Sequence, residues 1–420
     1  MLKKFIVILV LGLLLSSAAY AGEVLNFVST QMEPAAEQVF AKGVLIKGFT
    51  DETGIEAEFI TMPDYHDMFI RLSAEVEAKK VTTSLVCELH SGLDLMNAKG
   101  LFDDLTGIVL PNRTFIKALE DYSVIAGKKV YVPLMQATYV MVVNKKAFDY
   151  LPAGLTVEDI TGASEKWSYD ALLSWSKNLN DAFKGPKLGF PMSPDGLWHR
   201  FLHGYIHPSY TGYQAAAFDS LRAVKLWEYL KELLPYMHPS SSIWAAMDEP
   251  LLKEEILVAW DHTARVKSAL IEKPEDFAIV PVPCGPKGRG YITVAVGLAI
   301  PVDAPQKENA IKLIDYLTKP DVQVKILENV GFFPIVKEAE GAIPVGPLKI
   351  LATGVLAQSG AADSVMVMIP SLGAKGGEFT ATYRDVFTKI VVEGADIETT
   401  ITEAADKLRA IFEEIGVPLL

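Results

Sequence analysis

Strand-like and helix-like runs take turns along this chain, and that alternation restricts it to an α/β architecture more tightly than any other feature. EVLNFVST (23–30) has the apolar, β-branched character of a strand. PAAEQVFAKGVLIKGF (34–49) follows, with Val39, Phe40, Ile46 and Phe49 on one predicted helical face. GIEAEFITM reads as a second strand, DYHDMFIRLSAEVEA as a second helix and TSLVCEL as a third strand. GKKVYVPLMQATYVMVVNKKAF (127–148) reads as two extended runs, the second so apolar that both its faces must be covered. Ser168 is a predicted N-cap for YDALLSWSKNL, and Pro305 a predicted start for a helix carrying Ile311, Ile314 and Leu317. TTITEAADKLRAIFEEI sets Ile401, Ala404, Ala405, Leu408, Ile411 and Phe412 on one side, the clearest amphipathic helix of the sequence. No internal repeat, low-complexity tract or long linker interrupts the pattern.

The first 21 residues read as an export leader: MLKK is positive, FIVILVLGLLL is apolar, and Ala19-Tyr20-Ala21 is a small-x-small cleavage signal before Gly22. No other stretch has the apolar length of a membrane helix. No cysteine sits at the cleavage point, so a freely diffusing periplasmic protein without a lipid anchor is expected. Loss of the leader and its two lysines takes the formal net charge from −13 to −15. Such acidity disfavours nucleic acid and anionic membranes, which bind through clustered Lys and Arg. Cys87 and Cys284 are the only cysteines, enough for one disulfide in an oxidising compartment but not evidence of one.

In this order the segments resemble the extracellular solute-binding proteins of ABC importers, in the group that includes maltose-binding protein. The resemblance is carried by VLNFVST, FTDETGIEAEF, LVCELHSGLDLMNAKGLFDDL, GKKVYVPLMQATYVMVVNKKAFD, KWSYDALLSWSKNL, the WDHT stretch with AIVPVPCGPKGRGYITVAVGLAIP, NAIKLIDYLTKPDVQVKILENVGFFPIVKEA and GADIETTITEAADKLRAIFEE. It spans nearly the whole mature chain, with two departures: TSL stands where the family has "PDV", and AWDHT where it has a Gly-rich turn. The resemblance implies a two-lobed periplasmic binding protein fold of type II with discontinuous lobes, 22–134 with 284–330 and 135–283 with 331–420. Crossings are expected near 133–136, 281–284 and 329–334, with the ligand enclosed by hinge closure.

In open α/β sheets ligands sit beyond the carboxyl ends of strands. Ser29 and Gln31 follow the first strand, Glu88 and His90 the third, Asp195 and Trp198 lie after LGFPM, and Trp260, Asp261 and His262 follow ILVA. Gln136, Tyr139, Phe333 and Tyr383 join them through the resemblance. A sugar needs apolar platforms for its C–H faces and groups that donate and accept for its hydroxyls. One platform covering about 60 Å² is worth roughly 1.5 kcal/mol. Micromolar binding needs about 8 kcal/mol, so two or three platforms with several hydrogen bonds suffice. Trp198, Trp260, Tyr139, Phe333 and Tyr383 are the candidate platforms, whereas Trp167, Trp175 and Trp227 read as packing residues.

Catalytic readings fare worse. Asp261 and His262 are neighbours on an extended chain and point to opposite faces, so they are no relay, and no G-x-S-x-G elbow occurs. In HRFLHGYIH the first and third histidines would stand about 12 Å apart along a helix, and Arg200 occupies the place of the H-E-x-x-H glutamate. GPKGRG lacks phosphate-loop spacing and reads as a turn between strands. The sequence therefore predicts a monomeric binding protein with no cofactor and no catalytic residue, which holds a mono- or oligosaccharide and delivers it to the transmembrane subunits of an ABC permease. The alternatives are a non-sugar polar solute (a polyol, glycerophosphodiester or polyamine) and a secreted glycan-active enzyme. Glu88, Asp195 and Asp261 together would favour a cationic solute, and Arg265 or Arg384 turned inward an anionic one.

Overall fold

The alternating pattern folds into parallel strands joined by helices, and into antiparallel pairs where the chain turns back directly. The computed structural model describes residues 24–370 and 372–420; the leader expected at 1–21 lies outside the described residues. The chain divides into two compact units, each assembled from separated segments. Of the described residues, the first comprises 24–111, Ser123–Val132 and Gly297–Thr318, and the second Asn112–Tyr122, Pro133–Val296 and Lys319–Leu420.

In the first unit β1 (Leu25–Ser29) lies between β2 (Ala57–Thr61) and β3 (Leu85–Leu89), parallel to both, with Ser29 opposite Thr61 on one side and Cys87 on the other. Parallel neighbours need a crossover, and helical segments over 35–53 and 65–77 supply the two required. The Asp64 side chain caps the second by accepting from Asp67 N. Val28, Met68, Leu72, Val86, Leu93 and Met96 pack between sheet and helices. The predicted apolar face of the first helix needs one correction, because Val39 is 72% exposed whereas Phe40, Ala41, Leu45, Ile46 and Phe49 are buried. Ala41–Ile46 is π-helical, and its wider turns rotate the face away from the 3.6-residue spacing assumed from sequence. A short hairpin, β4 (Val124–Ile125) with β5 (Lys128–Lys129), also belongs to this unit.

The second unit is organised on β6 (Val132–Asn144), the apolar run of the sequence, in which every residue is buried. After β7 (Leu188–Gly189), β8 (Val258–His262) and β9 (Phe277–Val280) both run antiparallel to β6, and β7 runs parallel to β8. β10 (Arg289–Ala299) takes β11 (Ser364–Met368) as a parallel neighbour. Ser168 caps the helix Tyr169–Phe183 by accepting from Ala171 N, as its position predicts. The helix near Pro305 begins instead at Lys307, behind Gln306. The C-terminal helix Ile397–Ile415 buries the six apolar residues read from its periodicity. Trp167, Trp175 and Trp227 are core residues, and the first two donate their indole N–H to Pro281 O at 2.7 Å and Ala147 O at 3.0 Å. Gly285 and Gly288 pair across the turn that GPKGRG makes before β10. Behind it the buried Arg289 donates to Asp363 at 3.2 Å, to Ala163 O at 3.0 Å and to Val282 O. Cys87 and Cys284 are free, buried thiols.

Candidate ligand-binding site

In the first unit the parallel register brings Ser29 and Glu88 to the carboxyl ends of adjacent strands. Ser29 Oγ donates to Gln31 O at 2.7 Å and accepts from Gln31 N at 2.9 Å, which folds the chain tightly just beyond β1. Gln31 Nε2 donates to Thr30 Oγ1 at 3.0 Å, and Thr30 Oγ1 donates to Glu88 Oε2 at 2.5 Å. The other Glu88 oxygen accepts from Leu89 N at 2.6 Å. Burial raises the Glu88 carboxyl above its ordinary value, partly offset by the Thr30 and Leu89 bonds. His90 is buried as the first residue of the helix His90–Asn97. A side chain at Gly92 would come within 2.6 Å of Glu88 and 2.8 Å of Tyr65, so this glycine lets both pack there. Ser29, Gln31 and Glu88 are thus joined through Thr30 in one hydrogen-bonded chain, with Tyr65 packed close by; the sequence singled out neither Thr30 nor Tyr65.

In the second unit Trp260, Asp261 and His262 are not the loop after a strand but the end of the strand itself, since β8 runs to His262, and Thr263 begins the next helix. Pairing with β6 extends it, placing Tyr139 opposite His262, Val140 opposite Asp261 and Met141 opposite Trp260. Period-two alternation puts Tyr139, Trp260 and His262 on one face. Tyr139 and Trp260 stack at 4.9 Å with an interplanar angle of 4°, and His262 meets Tyr139 edge-on at 4.9 Å. Tyr205 fixes this face: its hydroxyl accepts from Tyr139 N and donates to Tyr139 O, each at 3.0 Å. The spacing of Trp198, Phe201 and Tyr205 along one helical side was the available sequence signal for that role.

Asp261, on the opposite face, accepts from Met247 N at 2.9 Å and His262 N at 2.7 Å, and burial pushes its carboxyl up to about 7. His262 Nδ1 accepts from Ala264 N at 3.1 Å and so caps the helix Thr263–Glu272. Burial, then Arg265 and Arg200, bring its imidazole down to about 4, which fixes it neutral with the proton on Nε2.

Trp198 stacks on Phe201 at 4.9 Å and meets Phe190 edge-on at 4.7 Å. Asp195 is exposed, with its carbonyl accepting from Arg265 at 3.4 Å. Gln136 and Phe333 form a backbone pair, with N–H to O distances of 3.0 and 2.7 Å, and Gln136 Nε2 donates to Pro334 O at 3.2 Å. Tyr383 is fully buried between Phe379 and Phe218, its hydroxyl donating to Gln214 O. The second-unit candidates thus separate into three groups: the Tyr139, Trp260 and His262 face with Trp198 close by through Phe201, the exposed Asp195, and Gln136, Phe333 and Tyr383 held in backbone pairing or core.

HRFLHGYIH is helical over its whole length, with a π-helical stretch at Leu202–Ile206. His203 and His207 are fully buried, and His199 Nδ1 accepts from Arg384 at 2.9 Å. Burial lowers all three imidazoles, His199 to about 3 and His207 to about 4.

Comparison with known proteins gives this geometry a context. A protein of Brucella abortus (strain 2308) is 26% identical over 353 residues, 78% of this chain and 79% of its own length. The sugar-binding protein MalE of Xanthomonas citri superposes with a TM-score of 0.72 at 14% identity, over 94% of this chain and 98% of that one. UgpB of Mycobacterium tuberculosis, solved in complex with glycerophosphocholine, superposes with a TM-score of 0.63 at 17% identity, over 94% and 99%. At such identities the likeness is one of fold. The profile described as bacterial extracellular solute-binding protein matches residues 29–324, and the chain belongs to that family.

Proposed function

We propose that this chain is the periplasmic substrate-binding protein of an ABC importer, that it holds a mono- or oligosaccharide, and that it delivers this solute unchanged to the membrane permease. The observation that carries the reading is the family match over residues 29–324. The Xanthomonas citri neighbour is described as a sugar-binding protein, which favours carbohydrate over other solutes. Among the candidate side chains, the half-buried Gln31 and His262 offer donors and acceptors of the kind that hydroxyls require, while Tyr139 and Trp260 are buried behind His262 and support it. Ligand contact is assigned to Ser29, Gln31, Glu88 and His90 on the first unit and to Tyr139, Asp195, Trp198, Trp260 and His262 on the second. Asp261 acts by holding the main chain of His262, and Gln136, Phe333 and Tyr383 belong to backbone pairing and core.

On this reading the solute favours the conformation in which it makes more contacts, and the permease recognises the ligand-bound, monomeric form. Export with cleavage after Ala21 places the protein where such a solute arrives. A glycerophosphodiester is the second reading, favoured by the glycerophosphocholine bound to the Mycobacterium tuberculosis neighbour.

A thermal-shift panel of sugars, polyols, glycerophosphodiesters, amino acids and polyamines tests the proposal. A ligand present at a hundred times its Kd stabilises the folded state by about 2.7 kcal/mol. A sugar should raise the Tm and be recovered intact by chromatography. Stabilisation by a polyamine or amino acid alone would overturn the carbohydrate reading, and product formation would make the protein an enzyme.

A further inference from the structure

The charged groups around Tyr139 and His262 define the ligand more narrowly. Carboxylates there are already occupied by the protein: Asp261 accepts two main-chain amides, and Asp248 accepts from the Ser268 hydroxyl. The guanidinium groups are not neutralised in the same way. Arg200, Arg265 and Arg384 all act on His199, and among the described residues none of the three forms an ion pair with a carboxylate. Arg384 donates to Pro194 O at 3.0 Å, Gly196 O at 2.7 Å and His199 Nδ1, while Arg265 donates to Ala245 O at 2.5 Å. With the bonds of Arg265 to Asp195 O, these contacts hold the two side chains at the 194–199 loop, where the carboxylates acting on them are the exposed Asp195 beside Arg384 and the buried Asp261 beside Arg265.

Arg200 is the least satisfied member. It lies within hydrogen-bonding reach of the Tyr139 hydroxyl, and its Nε is buried without a partner. The indole N–H groups of Trp198 and Trp260 and the Ser193 hydroxyl are also buried and unpartnered. A concentration of unused donors and cationic charge, in a chain whose formal net charge is −13, is costly unless something with acceptor oxygens and negative charge comes to meet it.

We propose that the Arg200, Arg265 and Arg384 cluster recognises an anionic group on the solute, a carboxylate or a phosphate, and that the carbohydrate taken up is an acidic one. The inference rests on the carbohydrate reading above. Guanidinium suits either group, because its planar fork matches two oxygens at once and stays charged at every relevant pH. Arg200 contacts the anion directly. Arg384 and Arg265 add charge and hold the loop that carries Asp195 and Trp198.

Calorimetric titration of the full chain with matched solutes tests this: glucose against glucuronate and glucose 6-phosphate, galactose against galacturonate, and glycerol against glycerol 3-phosphate. An acidic sugar should bind at least about tenfold more tightly than its neutral partner, with affinity falling as salt rises. The uronate and phosphate arms separate the two anion classes. R200Q should reduce the affinity for the acidic sugar by about tenfold or more and so remove most of its preference over the neutral partner. Equal affinity for neutral and acidic partners in the unmodified protein overturns the anion proposal and leaves the carbohydrate reading standing, even if R200Q does not fold. Binding of glycerol 3-phosphate but of no sugar upholds anion recognition and overturns the carbohydrate reading. Heat from no member of the panel overturns both.

Discussion

Replacing Trp260 by alanine removes the ring on which the Tyr139 face is built, and the structure sets the size of the effect. The indole is fully buried, stacked on Tyr139 at 4.9 Å and edge-on to Phe201 at 5.2 Å and Tyr205 at 5.1 Å. A tryptophan of this kind buries about 200 Å², which at about 25 cal/mol per Å² is worth roughly 5 kcal/mol. Alanine keeps a small part of that and leaves a cavity that neighbouring rings fill incompletely, so the expected loss is about 4 kcal/mol. For a unit of this size 1 kcal/mol moves the Tm by about 2–4 °C, and Trp260→Ala should therefore melt about 8–16 °C lower without ligand. Calorimetry, with urea unfolding followed by circular dichroism, measures both quantities. Trp260→Phe keeps a stacked ring and should lose less than half as much. A loss under about 1 kcal/mol in Trp260→Ala would refute the reasoning, because it would mean that the indole is not packed against these three rings. Since truncation weakens the fold as well as the site, the phenylalanine variant is the one whose ligand affinity reports on the platform.

Further expectations follow from individual contacts. Tyr205→Phe removes the hydroxyl that serves both Tyr139 N and Tyr139 O, leaving a buried amide unsatisfied, and should cost about 2–3 kcal/mol in urea unfolding. Ser168→Ala loses the cap on Tyr169–Phe183 and should cost about 1 kcal/mol by the same measurement. Stability should fall on acidification. His199, His207 and His262 have folded pKa values of about 3, 4 and 4 against an ordinary 6.5, so the unfolded chain takes up protons first once the pH drops below 6.5. Each imidazole then costs about 2 kcal/mol between pH 6.5 and 5. Asp261, raised to about 7, and Asp94, raised to about 6, work in the opposite direction and recover part of the loss. The urea midpoint should therefore decline from pH 6.5 to 5, and a midpoint that rises over that window would contradict these burials.

Much of the architecture was legible because it is local. The periodicity of Ile401, Ala404, Ala405, Leu408, Ile411 and Phe412 is a property of one helix, and the Ser168 cap of one turn. Val39 escaped because a π-helical stretch changes the angle per residue, and no side chain announces that change. Trp260 to His262 were expected beyond a strand and lie within it because pairing with Tyr139 to Met141 extends β8, a long-range effect that 256–263 cannot encode alone. The same limit hid the site's supporting residues. Thr30 meets Glu88 only through the β1 and β3 register, and Tyr205 meets Tyr139 only once a helix from a distant segment packs on β6. The anion hypothesis had been open in the sequence through Arg265 and Arg384, yet Arg200 became visible only when the fold showed its Nε buried without a partner.

Everything proposed for this chain depends on reversible capture of a solute that leaves as it arrived. Equilibrium dialysis against the best ligand of the panel, followed by mass spectrometry of the released compound, examines that directly. One molecule per chain, recovered with its mass unchanged, is the expected result. Conversion of the compound to a product, or no retention above the free concentration for any solute, would contradict it.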